Sequence, residues 1–486
     1  MPSTTIETDD LNQFEWDTIT TTYDDDGSLL ERETLYDSGL IERLYQQSGS
    51  WHREFVDTDH PDRNPDADTV AEGGLMPWTR VDFASGTGGG TGAVLSESFS
   101  TDTGQGGFIL NRPGEVIDVE DIQASFDIND TANWAARFET SRPGDDSLEF
   151  RITYLDNGIR TAEHYTEDGT RDRVVQMDLN DATNWDLRST SYDAEGRVIG
   201  SQIMYDNGVS TSSFYNDDAI LYHRNSSDGN DAFSWDKKYL NYDTDGNLTQ
   251  QRIVYDDGRD TSIRYSDGIR TSESTIDWDD AHDWEYVSTT YDADGDAAQR
   301  VTLRDNGVKQ TVTWQDGVLT GNVQEDLEDT QSWSTISTVY SEDGDLVATV
   351  RLDDDGVQHD TFYFVPNPAS GEDPGYEPGQ VIARQRTDTA DAHDWSRKGW
   401  AYDAEGDLMI SATEEDDGDM LANYYENGLR YAQTFQDESG SQDWYAKVNY
   451  YDDTGAVAST EYFDSYADFH VETGFGSPWD APLLVG

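Results

Sequence analysis

Pairs of carboxylates just before a turn glycine recur along this chain: Asp24 and Asp26, Asp193 and Glu195, Asp243 and Asp245, Asp292 and Asp294, Asp403 and Glu405. A hard cation such as Ca2+ is held by several carboxylate and carbonyl oxygens at close range, which makes these residues the candidate metal ligands. The competing reading is conformational. Aspartate accepts backbone N–H bonds inside tight turns and glycine supplies the positive φ such turns need, with no ion involved. The D-x-D/E-G spacing lacks the further ligands of an EF-hand loop, so each pair taken alone makes at best a weak site.

Other chemistry is sparse. Cysteine is absent, which removes disulfides, thiolate metal sites and a cysteine nucleophile. His282 and His393 occupy equivalent places in two D-A-H-D-W boxes, but the corresponding residue is Thr183, Phe233 or Gln331 in sister segments, a substitution that catalysis would not tolerate. Neither H-E-x-x-H nor G-x-S-x-G occurs, and the glycine run at 86–92 lacks the lysine of a phosphate loop. Acidic pairs of the kind that hydrolyse glycosides are everywhere, so their presence is uninformative. The chain is expected not to be an enzyme, a polysaccharide-acting one being the least favoured reading.

The elements that position these residues are repeats. A tryptophan followed seven residues later by tyrosine and an acidic turn recurs at Trp16, Trp185, Trp235, Trp284, Trp333, Trp395 and Trp444, with Trp134 in register but lacking the turn. From Trp134 onward the spacings are 51, 50, 49, 49, 62 and 49 residues, the long one containing the loop at 364–380. Self-similarity at such a period marks a tandem array. Within the unit at Trp284, the turns DADG (292–295), DNG (305–307) and QDG (315–317) separate runs such as EYVSTTY and VKQTVTW, rich in Thr, Val and aromatics. That pattern predicts three or four short antiparallel strands in a meander. Asp130, Asp181, Asp231, Asp280, Asp329 and Asp391, four residues before each tryptophan, are expected to cap a short turn. Tyr192, Tyr205, Tyr215, Tyr242, Tyr255 and Tyr265 recur at strand ends and are expected in the core.

The predicted fold class is therefore all-β, with tandem repeats of about 49 residues forming an elongated curled sheet or superhelix. An eight-bladed β-propeller is the alternative. The organisation reads as a strand and first repeat at 1–56, an inserted Gly/Pro/Asp-rich β subdomain at 57–126, seven further repeats at 127–463, and a tail at 464–486.

Acidic residues number 101 against 31 Lys and Arg, a formal net charge of −70. Such a surface repels nucleic acid and anionic lipid, and its self-repulsion eases only with screening salt or bound cations. Only five lysines occur, which also fits general adaptation to salt. No run of apolar residues is long enough to span a bilayer, and the N-terminus MPSTTIETDD lacks a Sec-type signal.

The motifs YDADG, YDTDGNL, YDAEGRV and YDNG resemble the YD repeats of Rhs-type secreted proteins and MORN-like tyrosine/glycine repeats, over roughly 10–56 and 127–463. The longer unit with its D-A-x-x-W box is similar to repeat regions of acidic RTX-type secreted bacterial proteins, although the nine-residue GGxGxDxxx calcium repeat is missing. The resemblance implies export by a non-Sec, type I-like route, extracellular or cell-surface residence, and calcium. The expected function is a structural or assembly protein, a scaffold, filament or layer subunit stabilised by Ca2+, with protein or polysaccharide as partner. A secreted adhesin or carbohydrate-binding repeat protein is the alternative.

Overall fold

The structure, a computed structural model, describes residues 1–10, 16–57, 80–88, 92–101, 104–109, 119–127, 132–142, 147–366, 375–475 and 479. The chain divides into two compact units, Met1–Leu248 and Thr249–Gly486. Both are built almost wholly of antiparallel strands, and no helix among the described residues is long and apolar enough to cross a membrane.

In the first unit, an eight-stranded sheet runs in chain order from Ser3–Thr8 through Trp16–Tyr23, Leu29–Tyr36, Leu40–Gln47 and Ser50–Asp57 to Arg80–Gly88, Gly92–Thr101 and Gly104–Ile109. The strands after Asp57 thus lengthen the ladder of the first repeat. A second meander begins at Gln123–Phe126, which pairs with Trp134–Ser141. It continues through Leu148–Leu155, Ile159–Tyr165 and Arg171–Asp178 into the repeat that starts at Trp185. Trp78 and the centre of the glycine run, 89–91, lie outside the described residues.

Each complete repeat has four strands. In the second unit, one repeat consists of Trp284–Tyr291, Ala297–Arg304, Val308–Gln315 and Val318–Asp326. Its last strand pairs with the tryptophan strand of the next repeat, from Gly321↔Val339 to Glu325↔Thr335. Blades of a propeller are separate sheets, so this unbroken pairing inside each unit replaces the blade alternative with a continuous meander. The loop after Val357–Tyr363 returns at Val381–Asp388, and the part of it at 367–374 lies outside the described residues.

Strand length follows from turn chemistry. Gly196, at φ 80°, donates its N–H to the Asp193 carbonyl at 3.0 Å and reverses the chain after Tyr192. Gly208, at φ 83°, does the same with the Tyr205 carbonyl at 2.8 Å. L-residues rarely hold that φ, so glycine fixes where each hairpin turns. Bulges recur where the first hairpin starts and ends, at Trp185/Leu187 and Ser191/Tyr192 in one repeat and at Trp284/Tyr286 and Thr290/Tyr291 in the next but one.

The largest core lies in the first unit. Phe55, Phe83 and Phe99 from the eight-stranded sheet pack with Phe138, Ile152 and Tyr154 from the second meander. Sealed among them, Glu97 accepts bonds from the Arg160 Nε at 3.0 Å and the Tyr154 hydroxyl at 2.8 Å. In the second unit a row of alanines, Ala383, Ala401, Ala412, Ala422 and Ala432, forms a shallow face over which Phe475 and Trp479 lie. Small side chains leave the clearance that lets a chain segment cross a sheet face at close range.

Candidate functional site

The proposed metal ligands divide by position. In every paired turn, the first aspartate is half-buried and its Oδ1 accepts two backbone N–H groups: Asp26 and Ser28 on Asp24 at 2.9 and 2.8 Å, Glu195 and Arg197 on Asp193 at 3.0 and 2.8 Å. Asp243, Asp292 and Asp403 repeat the arrangement, at 2.7–3.1 Å. The second carboxylates, on Asp26, Glu195, Asp245, Asp294 and Glu405, are exposed. Ser341 and Asn216 occupy the first position in two other turns and accept the same pair of N–H groups without a carboxylate. The arrangement therefore serves the turn, and among the described residues no group of three or more His, Cys, Asp or Glu is disposed to hold a metal ion.

The box before each tryptophan is built differently from the expectation. Asp181, Asp231, Asp280, Asp329 and Asp391 do not cap; they hold the left-handed conformation, at φ 54–58°. The cap is the aspartate three residues earlier, at the end of the preceding strand. Asp178, Asp228, Asp277, Asp326 and Asp388 each accept, through Oδ2, the backbone N–H five residues on, at 2.5–2.7 Å. Asp130 lies outside the described residues. Asp tolerates the left-handed region better than most residues, so both aspartates are explained by backbone geometry.

The tryptophans anchor these boxes. Trp185, Trp235 and Trp395 are buried, and Trp16, Trp134, Trp284, Trp333 and Trp444 half-buried. The residue two before the tryptophan stacks on its ring: Phe233 on Trp235 at 5.5 Å, His282 on Trp284 and His393 on Trp395 at 5.1 Å. That contact accounts for the interchange of His and Phe. A cation three residues on covers the same rings, Arg137 on Trp134 at 4.7 Å, Lys238 on Trp235 at 4.1 Å and Lys398 on Trp395 at 4.3 Å. Arginines of the fourth strand likewise sit over the tyrosine that ends the next tryptophan strand, as Arg171 over Tyr192 at 4.9 Å and Arg270 over Tyr291 at 5.5 Å. Tyr192, Tyr205, Tyr215, Tyr242, Tyr255 and Tyr265 are half-buried and border the solvent.

Around each box the carboxylates crowd. Partial desolvation and the neighbouring Asp181, Asp186 and Asp178 push the Asp206 carboxyl above its usual range, and Asp305, Asp354 and Asp416 are raised in the same way by their own boxes. The capping aspartates move oppositely. Desolvation opposes ionisation, yet backbone N–H bonds outweigh it and hold Asp178, Asp228, Asp277, Asp326 and Asp388 low, and Asp437 at about 2. Sequence spacing alone did not reveal these clusters, because the DNG-type turn joins the box only after the hairpin folds.

One groove in the second unit, of about 400 Å³, concentrates positive charge beside aromatic rings. Arg386 lies 5.6 Å from the Trp400 ring and Arg384 5.9 Å from the Tyr402 ring, with His359 and Asp360 on the adjacent strand.

No family model and no curated protein matches the chain. Among solved structures, it is similar to TcdB2–TccC3 without its hypervariable C-terminal region, at 12% identity and a TM-score of 0.16, over 92% of this chain and 30% of that one. A putative 6-phosphogluconolactonase from Bacteroides uniformis matches at 12% identity and a TM-score of 0.12, over 64% of this chain and 94% of that one. The Cps50 (Swd1) β-propeller domain of Myceliophteria thermophila matches at 10% identity and a TM-score of 0.13, over 68% and 89%. The chain spans under a third of the first of these, and likenesses at such TM-scores carry no argument about fold or function. Its class rests on its own strands: an all-β tandem-repeat protein.

Proposed function

We propose that this chain is a structural and assembly protein of the cell surface or extracellular space, a scaffold, filament or layer subunit built from YD-type hairpin repeats. The observation that carries the reading is where the reactive side chains are used. Turn aspartates hold turns, box aspartates cap boxes, histidines stack on tryptophans, and arginines cover tyrosines, so a repeat offers its neighbours a regular strand array and offers solvent few convergent groups. A net charge of −70 favours protein or polysaccharide partners over nucleic acid and calls for cations in the medium. Calcium is proposed as a stabiliser acting on the exposed second carboxylates. Protease shaving of intact source cells should release peptides of this chain, and purified protein should assemble. Strict retention in the cytosol with a monomer under all conditions would sink the reading.

The groove at Arg384, Arg386, Trp400 and Tyr402 favours a second reading, an adhesin for polysaccharide, since aromatic faces stack on sugar rings and guanidinium groups bond to acidic sugars. Quenching of tryptophan fluorescence by oligogalacturonate, abolished by Arg386→Gln, is the expected result, and an unchanged titration rejects it.

A further inference from the structure

The eight-stranded sheet of the first unit ends on Ser3–Thr8. This strand pairs with Trp16–Tyr23 without a register shift, from Ser3↔Tyr23 to Thr8↔Thr18, and among the described residues no strand lies along its other side. Every residue of it is exposed, and none belongs to the core around Phe55 and Phe83. Its ladder is filled on one side only, which leaves a row of backbone donors and acceptors open to a further strand.

One hydrogen bond fixes which groups those are. Asp9, next in the same register, donates its N–H to the Asp17 carbonyl at 3.1 Å. Bonded and unbonded pairs alternate along antiparallel strands, so Ser3, Thr5 and Glu7 turn their N–H and C=O groups toward Trp16–Tyr23, and Thr4, Ile6 and Thr8 turn theirs away. The Thr4 and Thr22 hydroxyls meet at 3.3 Å, as the closer side chains of an unbonded pair allow.

Ser3–Thr8 contains no Lys, no Pro and no bulge, the devices that normally blunt an edge. Together with Thr18–Tyr23, which it pairs with, it carries a single charge, Glu7, in a chain where 27% of residues are charged. Ile6 stands 66% exposed among the outward-turned residues. In a chain of net charge −70, a stretch this weakly charged is a place where a second copy can approach closely. The other end of the sheet, Gly104–Ile109, has glycine at 104, 106 and 107, a composition that specifies register weakly.

We propose that Ser3–Thr8 pairs antiparallel with the same strand of a second copy of this chain, about a two-fold axis at Ile6. This deepens the assembly reading and rests on it. The register is self-complementary: Ile6 meets the partner's Ile6 and Thr4 meets the partner's Thr8, all through outward backbone groups, while Thr5 meets the partner's Glu7. The two Glu7 carboxylates fall on a diagonal, with backbones roughly 7–8 Å apart, so neither directly faces the other. Both copies use the same edge, so the interface closes on itself and gives a dimer in which the two eight-stranded sheets share one ladder. Repulsion between two copies opposes it in dilute salt and fades as the Debye length shrinks from about 10 Å at 0.1 M to about 3 Å at 1 M.

The experiment is sedimentation velocity of the full chain across that salt range. A dimer should form as NaCl rises and be lost in Ile6→Pro, which removes an outward N–H and no bond to Trp16–Tyr23. It should persist in the control Ile199→Thr, at an exposed apolar residue of the other meander. Because proline can disturb the strand itself, register is tested by charge. Thr5→Asp, placed opposite the partner's Glu7, should weaken the dimer about tenfold or more, and adding Glu7→Lys should restore it. A double variant that stays as weak as Thr5→Asp overturns the register. Association that survives both Ile6→Pro and Thr5→Asp overturns this interface while leaving the assembly reading standing, and a chain that stays monomeric at every salt concentration overturns both.

Discussion

The first unit's two-layered core and the repeats of the second unit solve the same problem with different means. Where the eight-stranded sheet faces the second meander, large apolar residues are sealed away: Phe55, Phe83, Phe138 and Tyr154 are at most 2% exposed, and even an ion pair, Arg160 with Glu97, is removed from water. Between Arg259 and Val357, by contrast, most residues on both faces are half-buried, with Ile263, Val308 and Ala348 among the few apolar residues that are buried. There the sheet is held by its ladder, by cross-strand hydroxyl pairs such as Thr261 with Thr275 at 2.9 Å, and by cations over rings. A strand array can thus persist with little core when each strand is stabilised by both neighbours, and large residues are needed only where a second layer is present. This is how a chain with 34% hydrophobic residues and 12% aromatics folds at all.

Breaking the two-layered region should cost most. Arg160→Leu leaves Glu97 as a buried charge with its cation gone and is expected to destabilise the first unit by about 3–5 kcal/mol in denaturant titrations. Phe138→Ala should cost a similar ~3–5 kcal/mol by opening a cavity among four other aromatic rings. A single-layer anchor should cost less: Trp284→Ala is expected within ~0.5–3 kcal/mol, with the loss confined to its own repeat by hydrogen exchange. Smaller still is the test of the box. Asp277→Gly should lower the melting temperature measurably, whereas Asp280→Gly, at φ 55°, should leave it unchanged or raise it; equal effects would refute the division of labour between the two aspartates.

Acidity sharpens the same contrast. Raised carboxyls such as Asp206 and Asp305 destabilise the fold where they are ionised, so protonating them as pH falls from neutrality stabilises it. The capping aspartates act in reverse: their contribution is complete above the unfolded value of 3.8 and is lost as pH falls through their lowered folded values, which for Asp437 is about 2. The melting temperature of the repeats should therefore peak at mildly acidic pH, and a monotonic fall from pH 7 downward would contradict the crowding described around each box. Finally, Asp294→Asn, at an exposed second position, should change stability by less than about 0.5 kcal/mol in sodium chloride. If it abolishes a calcium-specific rise in melting temperature, absent with magnesium or matched sodium chloride, the stabilising role proposed for calcium is supported; an equal response to all salts removes it.

Much of the strand architecture was legible because its signals are local. Tryptophan opens a strand, tyrosine closes it, and glycine at a fixed offset sets the turn, as Trp185, Tyr192 and Gly196 illustrate. The box was misread by three residues because both of its aspartates suit backbone roles, and composition cannot distinguish a capping residue from a left-handed one. The cation over some of the tryptophans was visible as Arg188, Lys238 and Lys398 at a constant spacing, a signal masked where Val287 and Ile336 take its place. What no periodicity conveys is which faces meet. Phe83 and Phe138 come from sheets far apart in sequence, and the alanine row that admits Phe475 and Trp479 has no motif of its own.

The joint between repeats is the same five-residue ladder wherever it occurs, from Arg173↔Ser191 to Met177↔Leu187, from Ser272↔Thr290 to Ile276↔Tyr286, and from Ala383↔Ala401 to Thr387↔Arg397. Because that joint is made by backbone groups and is indifferent to the side chains that cross it, unequal recombination in the gene can add or delete a whole unit and still leave every hydrogen bond at the new junction satisfied.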